Sequence, residues 1–211
     1  MDQNNKNIES KEVVQLSTDE KIRERNKSVL AYLHDIAYLL AGMLLIFLLL
    51  FRVVVVSGSS MFDTLVNGDY VLLLNNVFYA EPKQGDIIVA SKSSFKDGEP
   101  IIKRVIATEG QTVTIKNGVV SVNGIVLDEV YLDEGTYTEG IRPSDQPIHV
   151  TVESGHVFCM GDNRGSSLDS RSDEIGQIDC REIVGKAVLL FLPRDSVDNS
   201  KFDFGRFGGL Y

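Results

Sequence analysis

Residues 36–61 read IAYLLAGMLLIFLLLFRVVVVSGSSM. From Ile36 to Val56 the run is apolar apart from Arg52 and the single Gly42. As a helix rising about 1.5 Å per residue it spans roughly 31 Å, which matches a hydrocarbon core of about 30 Å. Arg52 lies near one end, where a long stem reaches the headgroups at modest cost. A cleaved targeting segment has a shorter apolar core and starts nearer residue 1. A soluble core helix carries polar side chains at helical spacing, and Leu39 to Phe47 carries none. The run therefore predicts one transmembrane anchor over 35–56. Four positions past Val56, in a turn of small residues, sits Ser60.

Outward from the anchor the chain divides into three parts. Residues 1–34 are polar and charged, and predict a disordered tail. Residues 57–211 are long enough for one substantial core, with no second apolar run of spanning length. Lys21, Arg23, Arg25 and Lys27 crowd the N-terminal flank, whereas the next basic residue after Arg52 is Lys83. That asymmetry predicts a cytoplasmic N-terminus and an exterior folded domain.

The formal net charge of −9 and the pI near 4.8 leave no basic stripe and exclude nucleic-acid binding. Cys159 and Cys180 would face an oxidising exterior, so they read either as a disulfide or as two separate buried thiols. Neither has metal-ligand spacing and the chain holds three histidines, which argues against zinc.

Past the anchor, short apolar runs alternate with turn dipeptides. Expected strands cover 70–74, 86–90, 100–106, 113–115, 119–122, 125–127, 149–152 and 156–160. Asn117-Gly118 and Asn123-Gly124 are hairpin signals that join the fourth, fifth and sixth of these elements. Residues 128–147 are irregular and read as an inserted loop or subdomain. Residues 199–211, with three phenylalanines and three glycines, should fold back onto the sheet. The fold class is mostly β, with a single N-terminal transmembrane helix ahead of an antiparallel domain.

Three constellations carry chemistry. Ser60 is a weak nucleophile and needs a base. His34 falls on the tail side, and His149 and His156 lie in expected strands, so a Ser-His-Asp arrangement is unpromising. Lys103 is the better partner. Alternation along Pro100 to Ile106 puts it on one face with Ile101 and Val105, and Arg104 on the other. An ammonium forced onto an apolar face loses solvation, which favours its neutral, proton-accepting form. From a reference pKa near 10.4, only on the order of one lysine in a thousand is neutral near pH 7, so roughly 4 kcal/mol of desolvation is needed. The pattern alone equally allows a strand-edge lysine with its head in water. The third constellation, Met160 to Arg171, packs two arginines, two aspartates and three serines into twelve residues. A solvated turn-rich loop would account for the Gly, Asp, Asn and Ser, but a network around a site accounts better for the charges.

Together these segments resemble the bacterial, single-span type I signal peptidases, from the anchor to the C-terminus. Val56 to Leu65 resembles the nucleophile motif of that family, Lys103 to Ile106 its general-base motif, and Gly161 to Arg171 its third box. The resemblance implies a Ser-Lys dyad that removes signal peptides from exported preproteins, with Ser60 as nucleophile and Lys103 as base. It implies an oxyanion contact from the Ser60 N–H within the turn Gly58-Ser59-Ser60-Met61. Gly58 stands where some relatives have a serine donor, and Met61 where a residue packs beside the dyad. Ser167 matches the serine that orients the lysine. Arg104 with Asp162, and Asp169 with Arg171, match supporting ion pairs, and Asn163 and Arg164 complete the signature.

No cofactor or metal is called for. The implied partners are preproteins leaving the translocation machinery and the lipid bilayer, with the enzyme in the cell membrane. Two departures stand near the site. Asp63 replaces a proline that would stiffen the turn, and Ala107 to Gln111 replaces a glycine followed by proline-glycine-aspartate. A specialised peptidase for pilins or surface proteins would fit these departures. A non-catalytic β-domain binding exported chains would have lost Ser60 or Lys103, and neither is lost.

Overall fold

The computed structural model describes residues 3–92, 95, 98–139 and 147–210, with the backbone alone over 3–22 and at 24. It forms two compact units, residues 1–49 and 50–211.

The first unit is one helix, α1 (Gln3–Leu50). Its stretch Arg25–Leu50 is long and apolar enough to cross a membrane, with a mean hydropathy of 2.2 in its most apolar window. Leu39, Leu44 and Leu48 are all more than half exposed, and no residue of that window is buried among the described residues. Two expectations change here. The tail, expected to be disordered, is helical from Gln3. It contains no Pro or Gly before Gly42, and continuity with the apolar helix removes the cost of a separate nucleus. The apolar run, expected to be helical to Val56, turns extended at Phe51. The cause is the run of β-branched Val53 to Val56, which has a strand to pair with.

The second unit is antiparallel β. Its strands are β1 (Phe51–Val55), β2 (Tyr70–Asn75), β3 (Ile87–Ser91), β4 (Pro100–Thr108), β5 (Thr112–Lys116), β6 (Val119–Val122), β7 (Ile125–Val126), β8 (Ile148–Thr151), β9 (His156–Met160), β10 (Ile178–Asp179), β11 (Ile183–Leu192) and β12 (Gly208–Gly209). The larger sheet runs β1-β2-β11-β3-β4-β9-β10, with β12 on β11. The smaller runs β7-β6-β5-β8. Both hairpins in the smaller sheet turn on Asn-Gly pairs with positive φ at both residues, 52° and 80° at Asn117-Gly118 and 53° and 80° at Asn123-Gly124. That geometry matches the right-handed twist of the flanking strands.

β4 joins the two sheets. Its partner β3 pairs Ile88 with Lys103 and Ile87 with Arg104. A bulge between Val105 and Ala107 interrupts its register with β9. The departing segment after β4 makes the crossing to β5. The Gln111 side chain accepts the Thr108 N–H at 2.8 Å, and Glu109 accepts the Gly155 N–H at 2.7 Å, which holds its carboxyl below the usual range. These contacts lie in the connection between sheets, away from Ser60.

Three buried clusters fill the domain. Met61, Leu65, Val71, Leu73 and Ile102 belong to one, and Val105, Cys159 and Ile178 to another, with Ile101 packed against the second. Alternation along β4 thus sends Ile101 and Val105 to one cluster and Ile102 to the other. Cys159 and Cys180 are both free. β9 and β10 pair Val157 with Ile178 and His156 with Asp179, and the Cys180 N–H bonds the Gly155 carbonyl. Cys180 therefore sits beside Gly155, just before the start of β9, while Cys159 lies near the other end of that strand.

Candidate active site

The turn Ser57 to Asp69 follows β1 directly and is tied down along its length. Gly58 adopts φ 91°, a backbone that a side chain would strain, and its N–H donates to Asn67 Oδ1 at 3.0 Å. The Phe62 N–H reaches the Ser59 carbonyl at 3.1 Å, and the Leu65 N–H reaches the Met61 carbonyl at 2.8 Å. Met61 is 1% exposed and anchors the turn in the core. The Phe62–Asp63 peptide is cis. Burial, then the neighbouring Asp133, pushes the Asp63 carboxyl above its usual range.

Lys103 arrives from the middle of β4, 4% exposed. Its Nζ lies 2.8 Å from Ser60 Oγ and donates to it, and also donates to the Ile102 carbonyl at 3.0 Å. Among the described residues no carboxylate pairs with it. Burial lowers its pKa from the ordinary lysine value, and the charges of Asp169 and Asp162 oppose that only in part. Both aspartates are engaged elsewhere. Asp162 takes Arg104 through Nε at 2.9 Å and Nη2 at 2.7 Å. Asp169 takes Arg171 through Nε and Nη2, each at 2.8 Å, and accepts the Gly161 N–H at 2.9 Å. Two arginines thus absorb the carboxylates that would otherwise hold Lys103 protonated.

The third box grips the nucleophile turn. The Asn163 N–H donates to the Ser60 carbonyl at 3.1 Å, and Asn163 Nδ2 to the Ser59 carbonyl at 3.0 Å. A Cβ at Gly161 would collide with the Ser60 carbonyl and the Ser167 hydroxyl, so only glycine lets the two segments approach this closely. Arg164 binds the Gly161 carbonyl at 3.1 Å and Thr138 Oγ1 at 2.7 Å, and pairs with Glu129 of the irregular segment. The Arg104 guanidinium also stacks 3.9 Å from the Tyr131 ring centroid.

One expected contact is not made. Ser167, expected to orient Lys103, is buried beside the turn, but its Oγ bonds neither Lys103 nor any other described group. The lysine's two donated bonds go to Ser60 and to the Ile102 carbonyl, leaving the hydroxyl as an unused partner beside the pair. His149 bonds Thr114 and His156 bonds the Ser154 carbonyl, so neither histidine reaches Ser60. Sequence reasoning missed Thr64, whose hydroxyl donates to Asp162 at 2.6 Å, and Asp69, a fully buried carboxylate. The signal available for Asp69 was its place directly after the turn pair Asn67-Gly68.

A cavity of about 520 Å³ opens onto the pair, walled by Val54, Val56, Val89, Ile102 and Leu168. β1 is the end strand of the larger sheet, and it lines this cavity from one side while the start of β4 lines it from the other. A serine hydroxyl against a buried lysine, at the head of an apolar cleft in a β-domain that follows a membrane-length helix, defines the class of protein.

The comparisons agree with that class. The family described as signal peptidase, peptidase S26, matches residues 29–192. Signal peptidase I of Bacillus licheniformis is 31% identical over 188 residues, covering 85% of this chain and 97% of its own. Signal peptidase I T of Bacillus subtilis is 35% identical over 170 residues, covering 79% and 86%. A crystal structure of a signal peptidase I from Enterococcus faecalis is 28% identical and covers 50% of this chain and 96% of that one, at a TM-score of 0.41. By the family match and the two Bacillus relatives, this chain belongs to the type I signal peptidases of family S26.

Proposed function

We propose that the protein is a membrane-bound serine endopeptidase that removes signal peptides from exported preproteins with Ser60 and Lys103 as its dyad. The single observation that carries this is the 2.8 Å approach of Lys103 Nζ to Ser60 Oγ within a pocket that favours the neutral amine. The hydrogen bond reverses without moving either atom once Nζ has lost its proton, so that the hydroxyl donates to the amine lone pair. Ser60 Oγ then attacks the scissile carbonyl as Lys103 takes the hydroxyl proton. The Ser60 N–H stabilises the oxyanion. Lys103 returns its proton to the leaving amine, which releases the mature chain and leaves the signal peptide esterified to Ser60. A water, deprotonated by the again neutral Lys103, hydrolyses the ester.

The substrate lies extended in the apolar cleft between β1 and the start of β4, where an end strand supports pairing with an added peptide strand. The valine and isoleucine walls favour small residues one and three positions before the cut. Gly58 brings no hydroxyl, and its N–H is spent on Asn67, so the oxyanion relies on Ser60 itself. Asn163, Asp169 with Arg171, and Arg104 with Asp162 hold the turn and strand in place. The helix lies in the cell membrane with its N-terminus cytoplasmic, as its basic flank supports. Ser60, ten residues past Leu50, then meets preproteins as they leave the translocation machinery.

The test is cleavage of a model preprotein with alanine one and three positions before its cut, by full-length protein in detergent micelles. The wild type yields the mature N-terminus and Ser60→Ala does not. Equal product from Ser60→Ala would overturn the assignment.

A further inference from the structure

The family match ends at residue 192, but the described chain continues to Leu210. This extension folds back. Gly208 and Gly209 pair with Leu190 and Leu189 of β11, Arg194 bridges Phe202, and Leu210 packs on the cluster that holds Met61 and Leu65. Its Arg206 points at the turn behind Ser60. Nη1 donates to Asp69 Oδ1 at 3.1 Å and to the Arg194 carbonyl at 2.7 Å. Nη2 donates to Asp69 Oδ2 at 2.9 Å and to the Thr64 carbonyl at 3.2 Å.

The acceptors make this more than a surface pair. Asp69 is fully buried, and its carboxylate also accepts the Val66 N–H at 2.7 Å and the Arg194 N–H at 2.6 Å. Residue 64 is gripped at both ends, its hydroxyl by Asp162 and its carbonyl by Arg206. Beside it stands Asp63, the position at which the family motif carries a proline. A proline fixes one dihedral of that turn from within. This chain lacks the ring, and Arg206, beyond the matched residues, clamps the next carbonyl from outside.

We propose that Arg206 is a positioning residue for Ser60, acting through the Thr64 carbonyl and Asp69. It takes over from the C-terminal extension the stiffening that Asp63 forgoes. The proposal rests on the Ser60–Lys103 reading for its effect on rate, while its effect on the turn does not depend on that reading.

The experiment uses full-length protein in detergent micelles and compares Arg206→Ala, Arg206→Lys, Lys201→Ala and Ser60→Ala. Preprotein cleavage gives kcat and KM, hydrogen exchange follows the amides of residues 61–68, and thermal unfolding reports the folded fraction. Arg206→Ala should lower kcat about tenfold or more, since small misplacements of a nucleophile are costly. KM should stay within about twofold, because the cleft is untouched. Exchange should quicken over 61–68, Val66 included. Arg206→Lys keeps the charge on Asp69 but cannot span both acceptors, so it should fold normally and recover part of kcat. Lys201→Ala, on the same extension and exposed beside Asp198, should match wild type. Wild-type kcat in both Arg206 variants overturns the proposal. So does a loss of kcat with unchanged exchange, or one that only tracks loss of folded protein. Activity retained by Ser60→Ala would instead defeat the dyad reading, and quickened exchange in Arg206→Ala would still uphold the clamp.

Discussion

The N–H of Asn163 donates to the carbonyl of Ser60 at 3.1 Å, joining the third box to the nucleophile turn. The same residue's Nδ2 holds the preceding carbonyl, of Ser59, at 3.0 Å. Asn163 thus fixes the backbone on which the Ser60 hydroxyl is aimed, while touching neither Lys103 nor the cleft.

Asn163→Ala removes the side-chain bond and keeps the main-chain one. The lost bond is exposed, so unfolding free energy should fall by no more than about 1 kcal/mol. A similar loss of alignment in the transition state lowers kcat about fivefold. Denaturant titration and steady-state cleavage check the two together. A normal kcat would show that the turn needs no such hold.

Arg104 and Asp162 are each almost wholly buried and bonded twice. Arg104→Ala leaves the carboxylate without its cation, which should destabilise the domain by about 3–5 kcal/mol. The double variant Arg104→Met with Asp162→Leu removes both charges and should recover most of that stability. Its kcat should stay low, because Thr64 loses the Asp162 acceptor. Equal stability of the single and double variants would contradict a buried pair.

The depressed pKa of Lys103 fixes the direction of the pH dependence. Burial favours the neutral amine, so kcat/KM should rise with pH about a midpoint below the ordinary lysine value and level off above it. Between the folded and unfolded pKa the unfolded chain binds more protons, so this residue's contribution to stability rises with pH and is lost towards acid. Lys103→Met should accordingly be inactive yet at least as stable as wild type at neutral pH. A flat rate profile, or a marked loss of stability in Lys103→Met, would contradict a lysine held neutral by burial.

Much of the domain was legible because its signals are local. The Asn117-Gly118 and Asn123-Gly124 hairpins follow from two residues each, and alternation along β4 correctly separates Lys103 from Arg104. The helix-to-strand change at Phe51 was not legible, since Val53 to Val56 is apolar enough for a membrane and becomes a strand only because β2 offers it a partner. β11 was overlooked for a related reason. Its run from Ile183 to Leu192 is nearly continuous in apolar residues, so the sequence shows little period-2 signal even though burial alternates from Ile183 to Val188. Around Ser60, the expected supports Asn163, Arg104 with Asp162 and Asp169 with Arg171 all lie in motif segments, whereas Asp69 and Arg206 lie outside them. Asp69 and Arg206 meet across 137 positions, and no spacing within either segment announces it. Ser167 shows the opposite failure, a motif position whose hydroxyl makes no bond here.

The most direct measurement replaces Lys103 by arginine, which keeps length and charge but cannot give up a proton near neutrality. Turnover of a model preprotein by wild type, Lys103→Arg and Ser60→Ala, in the same micelles and with folding checked by circular dichroism, isolates the base from the cation. Both variants should fall to the background rate per folded molecule, with Lys103→Arg the less stable because its buried charge is unpaired. Wild-type turnover by Lys103→Arg would contradict a neutral lysine as the base.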